Sequence, residues 1–116
     1  MKLAIIGTRT PSLSYTEWEK RLKERINLDN VTLIVSGGAK GIDTYAKLFA
    51  ARHHIPLMEF LPQYATYGKN APLVRNRQIM KEATFFIAFP NKDSRGTYQA
   101  IREAEKLHRD GIVVMI

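Results

Sequence analysis

The fold this sequence predicts is a three-layer α/β sandwich on a mostly parallel five-stranded sheet of order 3-2-1-4-5. Three observations predict it. Short β-rich apolar runs alternate five times with amphipathic segments, the pattern of successive strand–helix–strand units. Polar, glycine-containing turns over 36–41 and 94–97 stand where a strand gives way to a helix. A length of 116 residues suits a single domain, 1–116, around one core. Right-handed crossovers and one reversal of winding then make the first and fourth strands neighbours.

Lys2 to Ile6 reads as a buried strand ending at Gly7-Thr8-Arg9-Thr10-Pro11. Ser14 and Thr16 both suit the cap of the next helix, whose apolar stripe is Tyr15, Trp18, Leu22 and Ile26. Val31 to Val35 is the second strand. It leads into Ser36-Gly37-Gly38-Ala39-Lys40-Gly41-Ile42-Asp43, which opens a helix running to about His53. Ile42, Tyr45, Ala46, Phe49 and Ala50 are its inward stripe. Pro56 to Leu61 reads as the third strand. Pro62 to Ala71, with Tyr64 and Tyr67, is the longest non-periodic segment and a plausible binding loop. Pro72 suits the first turn of a helix that continues to Met80. Phe85 to Phe89 is the fourth strand, and Asn91 to Thr97 a polar turn. Ala100, Ile101, Ala104 and Leu107 line the last helix, and Gly111 separates it from a fifth strand, Ile112 to Ile116.

Eighteen Lys and Arg against eleven Asp and Glu leave a formal charge of +7. Such a balance favours anionic partners such as nucleic acid, nucleotides or phosphates, without choosing among them. There are no cysteines, which excludes disulfides and thiolate metal sites and makes a cytoplasmic setting the natural expectation. No apolar run approaches the roughly 20 residues of a membrane helix, so no membrane partner is expected. His53 and His54 are adjacent and diverge on a helix, and no metal cluster, catalytic triad or carboxylate pair is apparent.

The chemistry collects at the ends of the strands. A glycine loop before a helix exposes backbone N–H groups, and the helix adds the positive end of its dipole. Ser36, Gly37, Gly38, Ala39, Lys40 and Gly41 are therefore candidates to cradle an anion, with Lys40 supplying a mobile charge. Gly7, Thr8 and Arg9 after the first strand, and Ser94, Arg95, Gly96 and Thr97 after the fourth, fall at the same sheet edge. Arg9 there is hard to explain as packing. Arg75 and Arg77 are two apart on a helix and point different ways, so one reaches a ligand while the other pairs at the surface; Arg75 is preferred for the ligand. Asn76 is read either as a ribose partner or as a loop cap. Asp43 is read either as a ribose acceptor or as support for its own loop. Ser94 and Thr97 are read as phosphate donors or as caps. Tyr64 and Tyr67 suit base stacking and loop packing equally.

Four ordered motifs resemble the SLOG superfamily, the Rossmann-like group that contains the DprA/Smf and LOG proteins. They are Gly7-Thr8-Arg9, the 36–43 loop, Ala71-Pro72 with Arg75-Asn76-Arg77, and Ser94-Arg95-Gly96-Thr97. The pattern is most similar to the small stand-alone YspA and YpsA-related members. For those the resemblance implies binding of a nucleotide-derived molecule, NAD or ADP-ribose-like, by a sensor, carrier or sequestering protein. For DprA it implies single-stranded DNA at the same face, and for LOG proteins hydrolysis of a nucleotide N-glycosidic bond. The LOG motif carries a glutamate where Ala100 stands here, and Glu103 lies almost a turn further on. An oxocarbenium-like transition state needs a nearby negative charge, so an enzyme is the less favoured reading. The leading expectation is thus a nucleotide-type ligand without a certain cofactor, with single-stranded DNA as the alternative, in a homo-oligomer of two chains.

Overall fold

In the computed structural model, which describes residues 1–116, the five strands form one all-parallel sheet of order β3-β2-β1-β4-β5. β1 (Lys2–Gly7) is central, flanked by β2 (Leu33–Ser36) and β4 (Phe85–Phe89), with β3 (Leu57–Glu59) and β5 (Asp110–Val113) at the edges. Five helices follow in chain order: α1 (Tyr15–Arg25), α2 (Ile42–Arg52), a single turn α3 (Tyr64–Tyr67), α4 (Ala71–Glu82) and α5 (Arg95–Lys106).

Side chains alternate across a strand, and β1 uses both directions. Leu3 and Ile5 join a core with Trp18 and Leu22 of α1 and Ile42 and Phe49 of α2. Ala4 and Ile6 join a second core with Ile79 and Met80 of α4 and Ala100 and Ala104 of α5. Trp18 is fully buried against the rings of Tyr15, Tyr45, Phe49 and Phe89. The second face is built from smaller residues, Ala4, Ala83, Ala88, Ala100 and Ala104, which lets α4 and α5 lie close to the sheet. Each fully buried large side chain contributes about 1.5–3 kcal/mol, so the two faces together position everything at the strand ends.

The structure corrects several boundaries. Ser14, not Thr16, caps α1, its hydroxyl accepting from Glu17 N–H at 3.2 Å. Residues 28–30 form a 3₁₀ turn, so β2 begins at Leu33 rather than Val31. β3 is shorter than Pro56 to Leu61. The 62–71 segment is not irregular: α3 is followed by a 3₁₀ turn over Gly68–Asn70 that runs directly into α4. One turn offers too little length for an apolar period to show. β5 begins two residues early, taking in Gly111, because the Phe86 ring lies where a side chain at 111 would stand.

Candidate functional site

Sheet order reverses between β1 and β4, so the chain leaves β1 and β2 toward one face and β4 toward the other. Ligands of open α/β sheets bind in the crevice this opens at the carboxyl ends of the strands. Here it is a cleft of about 330 Å³, lined by residues of three strand-end loops and of α4. A second lobe of about 260 Å³ adjoins it, and Arg9, Gly37, Ala39 and Arg75 line both.

The β1 and β4 loops are laced together. Thr8 N–H donates to Phe89 O at 3.0 Å, and Thr8 Oγ1 accepts from Thr10 N–H and from Asn91 Nδ2 at 3.1 and 2.9 Å. Asn91 Oδ1 accepts from Asp93 N–H and from the Ser94 hydroxyl, an Asx-type turn that carries the chain into α5. Ser94 occupies the N-cap position of α5, yet its side chain makes no cap bond there; its hydroxyl instead accepts from Asn91 N–H at 2.9 Å. Arg95 N–H donates to Asp93 O at 3.0 Å, and the Gly96 and Thr97 amides of the first turn are left for another acceptor. Gly96 sits in this turn with no atom within 4 Å of the position a Cβ would take.

The glycine loop is held from both sides. Gly41 has φ +81°, and a side chain on it would strike the Thr8 carbonyl and the Arg9 backbone. That close approach lets Ile42 N–H donate to Thr8 O at 3.0 Å, tying α2 to the β1 loop. Asp43 Oδ2 accepts from Ala39 N–H at 3.1 Å, which is the loop-supporting role. Arg75 is buried, donating through Nη1 to Gly37 O at 2.8 Å and through Nε to Asn76 Oδ1 at 3.0 Å. Asn76 in turn donates to Gln99 Oε1 and Gly96 O, joining α4 to the start of α5.

Burial sets the charges of this pair. Desolvation pushes the Asp43 carboxyl above its usual range, opposed by the Ala39 N–H and the positive charge of Arg75. Ser36 adds to that opposition, although its buried hydroxyl satisfies no hydrogen-bond geometry. Desolvation likewise lowers Arg75, opposed by Asp43, with Arg9 adding to the lowering. Arg9 itself is exposed, lines both lobes and has no ion-pair partner.

One family model covers most of the chain. Residues 1–88 match the family model of DNA recombination-mediator protein A. The chain belongs to this family. DNA processing protein A from Helicobacter pylori, whose structure was described for its single-stranded DNA binding mode, superposes with a TM-score of 0.75 at 24% identity. The match covers 97% of this chain and 64% of that one. DNA processing protein A (DprA) from Streptococcus pneumoniae gives 0.78 at 22% identity, covering 97% of this chain and 49% of the other. At these identities the likeness shows the fold, the Rossmann-like form expected of the SLOG group. This chain spans between about half and two thirds of the length of those two proteins. No curated protein matches it. No helix is long and apolar enough to cross a membrane.

Of the expected site residues, the DprA-like fold brings all but Ser36 and Gly41 to the walls of the two lobes. Those two lie beneath the loop: Ser36 is fully buried, and Gly41 packs on the β1 loop. Gly38 and Lys40 line the second lobe, while Gly7, Thr8, Asp43, Asn76, Ser94, Arg95, Gly96 and Thr97 line the first. Arg77 pairs at the surface with Glu103 at 3.3 Å. Glu103 is buried and also accepts from Gln99 and Lys106, outside the cleft that Ala100 lines. Sequence reasoning passed over Thr10, Asn91, Asp93 and Pro62. Asn91 had a legible signal, an Asx residue directly after a strand and before a polar turn.

Proposed function

We propose that the cleft binds single-stranded nucleic acid through its phosphates, as a binding module of the DprA family. One observation carries this: Arg9, exposed and unpaired, stands between the glycine loop at the start of α2 and the uncapped start of α5. Both helix starts turn a positive dipole end to an anion, with the amides that follow Ile42 and Arg95, whose own N–H groups bond Thr8 O and Asp93 O, as donors. Lys40 and Arg95 add charge at the two loops, and the chain as a whole carries +7. The DNA binding named for the H. pylori relative supports the ligand class.

A free nucleotide-derived ligand, NAD or ADP-ribose-like, is the second reading. The size of the cleft favours it, since about 330 Å³ falls in the range of small-molecule sites.

Fluorescence anisotropy with 5′-labelled oligothymidylate separates the two. Contact by Arg9, Lys40 and Arg95 predicts a log–log salt slope of about −2, because each neutralised phosphate of a single strand contributes about −0.7. Absence of oligonucleotide binding at low salt contradicts the first reading. Tight calorimetric binding of ADP-ribose alongside that absence supports the second.

A further inference from the structure

The second lobe has a chemistry of its own. Arg9, Lys40 and Arg75 are among its seven lining residues, and none of the seven is acidic. Glu59 approaches Gly38 but is not part of the lining. Pro62 completes the lining. Leu61, directly before it, and Tyr64, two residues after it, present large apolar surfaces to solvent, 60% and 58% exposed. Leu61 rests on the glycine loop, where a side chain at Gly38 would strike its Cδ2. An exposed aromatic beside a cationic recess fits a base on the ring and its phosphate in the recess, the arrangement by which single strands are held without sequence preference.

We infer that the second lobe is a second nucleotide position: it takes the next phosphate of the strand, and the attached base stacks on Tyr64. This rests on the single-strand reading and sharpens it, because the favoured ligand becomes at least a dinucleotide. A mononucleotide fills the first lobe alone. Stacking is available to every base through its π face, so the position reads chain continuity rather than sequence.

Competition against labelled oligothymidylate tests this with three probes: dTMP, pdTpdT, and the same dinucleotide with its second base replaced by an abasic sugar. Stacking gains of the usual size predict that pdTpdT competes about tenfold better than the abasic dinucleotide. Tyr64→Ala removes that preference, Tyr64→Phe keeps it, and neither shifts the melting temperature, as the side chain is exposed. With Tyr64→Ala the missing base costs nothing further. Equal competition by all probes, or a preference that survives Tyr64→Ala, overturns the second position while oligonucleotide binding by the parent leaves the cleft's function standing. Failure of oligothymidylate itself to bind overturns both.

Discussion

Arg9→Ala lowers affinity for oligothymidylate roughly ten- to hundredfold, while the melting temperature stays with the parent. A hydrogen bond to a charged group is worth about 1.5–3 kcal/mol, and each 1.4 kcal/mol is about tenfold. Nothing inside the protein depends on this guanidinium: it is exposed and ion-pairs with no carboxylate. Arg75 offers the contrast. Its guanidinium is buried and holds the Gly37 carbonyl, so its loss confounds binding with stability. Arg9→Lys recovers part of the affinity but not all, because an ammonium keeps the charge and loses the planar fork. Anisotropy titration and a thermal melt on the same samples decide the matter. A large fall in melting temperature contradicts a purely external role for Arg9.

Gly96→Ala is expected to move stability and binding in opposite directions. Glycine within a helix costs about 0.5–1 kcal/mol relative to alanine, and α5 carries Gly96 in its first turn. Outside its own turn of helix, the added methyl meets no protein atom within 4 Å. The variant therefore melts a few degrees higher. Gly96 lines the cleft, and if the strand's phosphate binds the first-turn amides as proposed, the same methyl crowds it and affinity for oligothymidylate falls by about tenfold or more. Improved stability with unchanged affinity places the phosphate elsewhere. Gly38 gives no such separation: at φ +68° a side chain is strained, and it also meets Leu61, so a valine there lowers stability whatever the ligand does.

The sheet and its order were legible because five apolar runs were separated by turn and helix signals, and parallel connection leaves few ways to arrange them. The site followed from that order, since it brings residues 7–10, 36–41 and 94–97 to one edge. Less legible was the division of labour within the loops. Glycine at 41 looks the same in sequence as glycine at 96, yet one accommodates the Thr8 carbonyl and the other leaves space open. Asp43 and Asn76 read as ligand partners or as supports, and their bonds to Ala39, Gln99 and Gly96 supply the supporting role. The start of β5 was hidden because its reason lies across the sheet, in the Phe86 ring over Gly111. Tyr64 was legible as a stacking candidate but equally as loop packing, and its exposure, two residues from Pro62 of the basic lobe, is visible only in three dimensions.

A ¹H–¹⁵N titration of the labelled protein with oligothymidylate tests the central claim most directly. Amide shifts concentrated at residues 8–10, 37–41 and 94–97, with the strands of the sheet centre unmoved, are the expected result. Shifts confined to the opposite ends of the strands, or to the outer faces of α1 and α5, contradict it.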